Sequence, residues 1–129
     1  MATILVVDDE PRIRELLRVA LSSQGYKVLL AANGNQALLA MGMTLPDLIL
    51  SDVAMPEMDG VGFLEILRRT PEWSHIPVIL LTGFATTEQQ DTARALGASE
   101  QLTKASFSIR ELRARVASYL NNTPAAKVA

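Results

Sequence analysis

The sequence has no cysteine and only one histidine, and these two shortages exclude several kinds of chemistry. A chain without cysteine forms no disulfide, offers no thiolate to a metal and has no cysteine nucleophile. The absence is also compatible with a reducing compartment. His75 lies in a loop between Pro71 and Pro77, and we assign it no function. A metal site in this chain would therefore be built from oxygen ligands.

Long apolar runs and a targeting segment are also missing. The longest apolar stretches fall far short of the ~20 residues that a membrane span needs. The N-terminus, MATILVVDDE, has neither a basic region nor a cleavage site. We therefore expect a cytoplasmic protein that makes no membrane contact.

Positive charge is not in excess, because 12 Lys and Arg residues stand against 14 Asp and Glu residues, for a net charge of −2. Nucleic-acid surfaces depend on clustered Lys and Arg, so we expect no direct contact with nucleic acid. A chain of 129 residues that is 49% hydrophobic has room for one domain with a sizeable core. We expect residues 1–121 to form that domain and residues 122–129 to be a C-terminal tail or linker stub.

Five short apolar segments alternate with five segments of helical periodicity. The connections are too long for hairpins and long enough for crossovers, which predicts an α/β fold with a doubly wound, five-stranded parallel sheet and five helices. In the first helix, the predicted buried face includes Leu16 and Leu17. The predicted strands are 3–8, 27–31, 47–51, 77–81 and 100–103, and three of the later helices are 35–43, 60–69 and 108–120. The fourth helix is predicted to start at a capping box on Thr86 or Thr87 and to run through Leu96.

Four of the predicted strands lead into polar residues. Asp8 and Asp9 follow the first strand, and Asp52 follows the third. Thr82 follows the fourth strand, and Lys104 follows the fifth. We take these four strands to be buried. Because the carboxyl ends of parallel strands share one edge, where ligands bind in such folds, we expect the five side chains to converge.

Three carboxylates at one edge indicate a divalent cation. Within a few ångströms of one another they would repel, and without a cation one of them would take up a proton. An open site with only oxygen ligands suits Mg²⁺. Asp8 and Asp9 are adjacent and point to opposite sides if extended, so we expect Asp9 to bind Mg²⁺ directly and Asp8 to act through water.

Lys104 and Thr82 add a cation and a hydroxyl donor that face the carboxylates. This pair suits a tetrahedral anion attached to a carboxylate oxygen, because phosphoryl transfer depends mainly on positioning and charge neutralisation. Asp52 acting as the nucleophile would form an aspartyl phosphate. The residues therefore predict a Mg²⁺-dependent phosphoacceptor in which Asp52 is phosphorylated.

Several short motifs, taken in order, resemble the receiver domains of two-component response regulators. The similarity runs from residue 1 to about residue 120, and the bacterial chemotaxis regulator is the small single-domain type of this family. Each motif is weak alone, but the set is specific because the motifs fall on predicted strand ends. The motifs are VVDDE at 6–10, DVAMPEMDG at 52–60, PVILLTG at 77–83, ALGA at 95–98 and LTK at 102–104.

The resemblance implies a flavodoxin-like sheet with strand order 2-1-3-4-5. It implies that Asp52 accepts a phosphoryl group from a phosphohistidine on a sensor histidine kinase or a histidine phosphotransfer protein. Thr82 and Lys104 are implied to contact the phosphoryl group. Four groups are implied to organise Mg²⁺, and these are the side chains of Asp8, Asp9 and Asp52 and the backbone carbonyl of Ala54.

The resemblance also implies a signalling module and not an enzyme, except that it promotes its own Mg²⁺-dependent phosphorylation and dephosphorylation. Phosphorylation is expected to shift an existing equilibrium in the face formed by the fourth helix, fifth strand and fifth helix. The expected downstream partner is an effector protein or an output domain missing from this chain. A monomer and a phosphorylation-dependent dimer both fit, as do a stand-alone regulator and a piece of a longer protein.

Two departures from the family pattern favour an alternative function. Ala105 follows Lys104 where the family usually has a proline joined by a cis bond, and a non-proline cis bond costs ~3 kcal/mol. Gln101 stands where an aromatic switch residue is common. The alternative is a degenerate receiver that docks without phosphorylation. Separately, the resemblance puts Ala54 and Phe84 at the positions where the family varies the side chains flanking the phosphoryl group. Neither would place an acid, a base or an amide beside an attacking water, which predicts a long-lived phosphoaspartate.

Other families fit less well. An FMN-binding flavodoxin would carry a Ser/Thr/Gly phosphate loop after the first strand, where Asp8 and Asp9 would repel phosphate. A dinucleotide enzyme would need a glycine-rich turn there. A haloacid-dehalogenase-type phosphatase separates its two aspartates by one residue, whereas these two adjoin. A serine hydrolase would need a GxSxG motif, which the sequence lacks.

Overall fold

The computed structural model describes residues 2–53, 55, 58–83, 87–104 and 107–120. These residues form one five-stranded parallel sheet with strand order β2-β1-β3-β4-β5, as the family resemblance implies. The strands are β1 (Thr3–Val7), β2 (Lys27–Ala31), β3 (Leu48–Asp52), β4 (Val78–Thr82) and β5 (Glu100–Thr103).

Each strand is followed by a helix, which confirms the predicted doubly wound α/β fold. Among the helices described, none has the length and apolarity needed to cross a bilayer. The helices are α1 (Pro11–Ser22), α2 (Gly34–Met43), α3 (Gly60–Arg69), α4 (Thr87–Ala95) and α5 (Ile109–Leu120).

The core consists of two apolar layers, one on each face of the sheet. Alternate residues of each strand point to opposite faces, so Leu5 packs with α2, α3 and α4, while Ile4 packs with α1 and α5. Every residue of β3 and β4 is buried. Both strands are covered by helices on both faces, which explains why they appear in the sequence as continuous apolar runs.

Local signals in the sequence set the ends of several helices. Gly25 and Gly97 adopt φ values of +93° and +86° just after α1 and α4, a backbone region that favours glycine. Asn33 and Asp59 cap α2 and α3, because their side chains accept hydrogen bonds from backbone N–H groups in the first turns. Asn33 and Asp59 thus mark where the chain enters α2 and α3, and Gly25 and Gly97 follow the points where it leaves α1 and α4.

Two burial predictions are wrong. Leu16 was expected in the buried face of α1, but it is 46% exposed, because Leu17 and Leu21 fill that face. The fifth strand was taken to be buried, yet within β5 only Leu102 is buried. β5 lies at the edge of the sheet, where neighbouring elements cover less of it.

The carboxyl end of β3 is packed directly against the start of α3. The Gly60 N–H donates to the Val53 carbonyl at 2.8 Å. A Cβ built on Gly60 would lie 2.4 Å from the carbonyl oxygen of Asp52, far inside normal contact distance. The backbone around Asp52 therefore depends on the lack of a side chain at position 60.

Replacing Gly60 with alanine should lower the free energy of unfolding by roughly 1–3 kcal/mol, the usual cost of overpacking. Gly42→Ala is the matched control, since a Cβ at Gly42 meets nothing within 4 Å. That change should raise the free energy of unfolding by about 0.5–1 kcal/mol, because alanine favours helix over glycine. Urea denaturation followed by circular dichroism measures both, and equal effects of the two substitutions would contradict the packing described.

Candidate functional site

Backbone pairing brings the predicted site residues to one edge of the sheet. The Asp8 N–H donates to the Ala31 carbonyl at 3.1 Å, just beyond the β1–β2 ladder. Asp52 is the last residue of β3 and lies opposite Leu81 of β4. The Lys104 N–H donates to the Thr82 carbonyl at 2.9 Å, which extends the β4–β5 ladder by one residue. The sheet register therefore sets these positions.

The three aspartates form one acidic cluster that could hold a metal ion. A carboxylate oxygen from each of Asp8, Asp9 and Asp52 lies within 4.8 Å of the others. Asp8 and Asp52 are buried, at 0% and 4% exposure, whereas Asp9 is exposed. The cluster thus has two buried carboxylates and one that faces solvent.

Lys104 reaches into the middle of this cluster. Its Nζ lies 3.1 Å from Oδ2 of Asp8 and 3.2 Å from Oδ2 of Asp52, to which it donates a hydrogen bond. Glu10 adds a more distant carboxylate at 4.0 Å. The replacement of proline by Ala105 therefore does not keep Lys104 from the acidic cluster, although residues 105 and 106 themselves lie outside the described part of the chain.

The electrostatics of the cluster are dominated by burial and by this ammonium group. Burial raises the pKa of Asp8, and the Glu10 N–H and the Lys104 ammonium only partly offset that effect. Burial would lower the pKa of Lys104, but contacts with Asp8 and Asp52 outweigh burial and raise the pKa. Lys104 is therefore a firmly protonated cation shared by two buried carboxylates.

The two oxygens of Asp8 differ in their partners. Oδ1 accepts a hydrogen bond from the Glu10 N–H at 2.9 Å. Oδ2 is buried and, within the described residues, has no hydrogen bond; it faces the Lys104 ammonium at 3.1 Å in an ionic contact. A buried carboxylate oxygen without a hydrogen bond is an available ligand atom.

Thr82 lies at the same edge, but its hydroxyl is occupied. Oγ1 donates to the Leu102 carbonyl of β5 at 3.3 Å. Gln101, on the same strand, donates from Nε2 to the Gln90 carbonyl of α4 at 3.2 Å. Thr82, Gln90 and Gln101 also line a cleft of about 430 Å³ between α4 and β5. Hydrogen bonds from Thr82 and Gln101 thus link the end of the sheet that carries the acidic cluster to β5 and α4.

The structure adds to the site one residue that the sequence does not predict. The sequence pattern gives Arg14 of α1 no role, yet its guanidinium donates to the backbone carbonyl of Asp8 at 2.8 Å. The sequence carries no specific signal for this contact, since charged residues are ordinary on an exposed helix face. Ala54 and Phe84 lie outside the described residues.

Comparisons with known proteins agree on one family. The sequence profile of the response regulator receiver domain matches residues 4–117. A probable transcriptional regulator, ycf27, from Cyanophora paradoxa is 42% identical over 120 residues, which cover 93% of this chain and 48% of that protein. The chain thus spans about half the length of the ycf27 relatives that it matches.

Solved structures of similar proteins share the fold over nearly the whole chain. The chemotaxis protein CheY4 of Vibrio cholerae has a TM-score of 0.85 and 33% identity, covering 92% of this chain and 98% of that one. The response regulator TrrA of Thermotoga maritima has a TM-score of 0.80 and 35% identity, covering 92% and 99%, and that structure is a complex with Mg²⁺-BeF.

Asp8→Asn should stabilise the fold at pH 7 in EDTA, because the raised pKa of Asp8 means that its charge is unfavourable in the folded state. We expect a gain of about 0.5–2 kcal/mol in the free energy of unfolding, the range common for stabilising single substitutions. The pKa of Asp8 is higher in the folded state than in the unfolded state, so protonation of Asp8 stabilises the folded wild type at acid pH. The wild type loses that stabilisation as the pH rises through the folded-state pKa. The advantage of the variant should therefore shrink as pH falls.

Urea denaturation across pH measures this effect. Asp91→Asn is the control, because Asp91 is exposed and pairs only with exposed Arg94 in the described structure; its effect should stay within about 0.5 kcal/mol. Destabilisation by Asp8→Asn at pH 7 would contradict the account.

Proposed function

The chain belongs to the response regulator receiver domain family, and from this premise we propose that Asp52 is its phosphoacceptor. The domain is a signalling module of two-component systems. In the proposed reaction Asp52 receives a phosphoryl group from a phosphohistidine of a sensor histidine kinase or a histidine phosphotransfer protein. We propose no catalysis beyond the domain's own phosphorylation and dephosphorylation.

One observation carries this proposal: a buried carboxylate at a strand end lies 3.2 Å from an ammonium group that also contacts Asp8. The ammonium favours the ionised, nucleophilic form of Asp52. It also lies where negative charge on a phosphoryl group attached to Asp52 would need a partner.

The proposed transfer balances without a general base. A carboxylate oxygen of Asp52 attacks phosphorus, and a P–O bond forms as the P–N bond of phosphohistidine breaks. The electron pair of the broken bond returns to the imidazole nitrogen, which takes up a proton from solvent. The products are an aspartyl phosphate and a free histidine. Lys104 balances the added charge, and Thr82 can donate to a phosphoryl oxygen if its hydroxyl leaves the Leu102 carbonyl.

We propose Mg²⁺ as the cofactor, and the donor set of the acidic cluster fits it. The three carboxylates supply only oxygen ligands, and Oδ2 of Asp8 is buried without a hydrogen bond among the described residues. The proposed ligands are Asp8, Asp9, Asp52 and the carbonyl of Ala54, with Asp9 binding directly and Asp8 through water. When bound, Mg²⁺ supplies positive charge to the crowded carboxylates and the phosphoryl oxygens.

The proposed output of phosphorylation is a changed surface on α4, β5 and α5. Support comes from the hydrogen bond of Thr82 to β5 and that of Gln101 to α4. Movement of the Thr82 hydroxyl toward a phosphoryl group would break its bond to the Leu102 carbonyl and release a restraint on β5. Gln101 would then act as a polar counterpart of the aromatic residue common at this position.

The proposed setting is a cytoplasmic phosphorelay with a downstream effector protein or output domain as the partner. Receiver domains as a family interact with histidine kinases and effectors. The domain boundary near residue 121 remains a prediction, because residues 121–129 lie outside the described part of the chain. The alternative of a phosphorylation-independent docking module is not favoured, since Lys104 does reach Asp8 and Asp52.

Asp52→Asn should abolish phosphorylation, because the amide is not a nucleophile toward phosphorus. The protein is incubated with Mg²⁺ and acetyl phosphate and examined by intact mass, where the wild type should gain one phosphoryl group. Asp91→Asn should behave as the wild type. No gain of mass by the wild type would favour the docking module instead.

The phosphoaspartate should be long-lived once formed. Ala54 and Phe84 stand at the two sequence positions where the family varies the side chains flanking the phosphoryl group, and neither carries an acid, a base or an amide that would assist hydrolysis. Loss of radiolabel from phosphorylated protein in Mg²⁺ gives the half-life directly. A half-life of seconds or less would refute this expectation while leaving Asp52 as the acceptor.

A further inference from the structure

Arg14 of α1 contacts the acidic edge through the backbone of Asp8. Its Nη1 donates to the Asp8 carbonyl oxygen at 2.8 Å, and the contact is partly buried. We propose that Arg14 is a positioning residue that orients the Asp8–Asp9 peptide and thereby sets the affinity of the site for a divalent cation. This inference rests on the proposed Mg²⁺-binding function and concerns a residue outside the ligand set.

The orientation of this peptide matters most for Asp9. Within the described residues, the Asp9 carboxylate has no hydrogen bond or ion pair, so its position depends on its backbone and rotamer. The peptide unit that joins Asp8 to Asp9 is planar. Fixing its carbonyl oxygen therefore limits the direction in which the side chain of Asp9 leaves the backbone. Arg14 acts on the one carboxylate of the cluster that faces solvent.

Asp8 itself has other restraints. Its N–H donates to the Ala31 carbonyl at 3.1 Å, and its Oδ1 accepts from the Glu10 N–H at 2.9 Å. Its Oδ2 faces Lys104 at 3.1 Å. Loss of Arg14 should therefore leave Asp8 in place and release mainly the peptide that leads to Asp9, so that cation binding changes more than folding does.

An electrostatic role and a positioning role of Arg14 predict opposite changes in Mg²⁺ affinity when Arg14 is replaced. A guanidinium close to the cluster repels a divalent cation, so removing its charge alone should tighten Mg²⁺ binding. Removing its hydrogen bond should loosen Asp9 and weaken Mg²⁺ binding. The sign of the change in affinity therefore separates a positioning role from a purely electrostatic one.

The test compares Arg14→Met, Arg14→Lys and Arg12→Met in the full chain. Arg12 is an exposed arginine of the same helix, and its substitution removes the same charge without touching Asp8. Mg²⁺ is titrated alone, with binding followed by amide NMR shifts. We expect Arg14→Met to weaken Mg²⁺ binding about 10-fold, as loss of a supporting contact around a metal site commonly does. Arg14→Lys should recover part of the affinity, and Arg12→Met should bind as the wild type or slightly tighter.

A second readout separates positioning from general damage. With acetyl phosphate, Arg14→Met should need more Mg²⁺ for half-maximal phosphorylation but reach the wild-type rate at saturating Mg²⁺. Equal or tighter Mg²⁺ binding by Arg14→Met, or equal weakening by Arg12→Met, would overturn the inference. If Arg14→Met does not fold, Arg14→Lys decides: affinity equal to that of the wild type shows that the geometry of the guanidinium is dispensable and overturns the inference.

The wild-type titration separates a failure of the role inferred for Arg14 from a failure of the proposed function. Mg²⁺ binding by the wild type that is insensitive to Arg14 would overturn this inference and leave the proposed function intact. No Mg²⁺ binding by the wild type would overturn the proposed function, and the inference with it.

Discussion

The ionic contacts of Lys104 with Asp8 and Asp52 are the constraint on which this end of the molecule depends. Two carboxylates this deeply buried are costly to keep ionised, and a shared ammonium at 3.1 and 3.2 Å is what offsets part of that cost. The contacts also join β1, β3 and β5, which are not all neighbours in the sheet, at one point. A phosphoryl group on Asp52 would change the balance between this one cation and the two anions. A local change of charge of this kind is what a phosphorylation switch requires.

Most of the fold was predictable because few physical signals decide it. The buried runs in β3 and β4 and the crossover lengths specify a parallel sheet, and such a sheet brings Asp8, Asp52, Thr82 and Lys104 to one edge regardless of their separation in sequence. Burial was harder to predict where an element is only partly covered. Leu16 fits the apolar period of α1 but is exposed because Leu17, Ala20 and Leu21 form the buried face, and β5 is less buried because it is an edge strand.

The details of the site could not be predicted, because they depend on side-chain direction and on main-chain acceptors. Composition and spacing identify Lys104 as a cation near the carboxylates, but not that it contacts Asp8 as closely as Asp52. They give no sign that Arg14 turns back to the Asp8 carbonyl, or that the Thr82 hydroxyl is occupied by the Leu102 carbonyl. The last contact has a functional consequence. It opposes interaction of Thr82 with a phosphoryl group, so the described conformation corresponds to the unphosphorylated state of the proposed switch.

A crystal structure of the protein with Mg²⁺ and beryllofluoride tests the central claim most directly. The account predicts beryllofluoride on a carboxylate oxygen of Asp52, Mg²⁺ beside Asp9, and the Lys104 ammonium in contact with fluoride. Beryllofluoride absent from Asp52, or bound there with Lys104 directed away from it, would contradict the account.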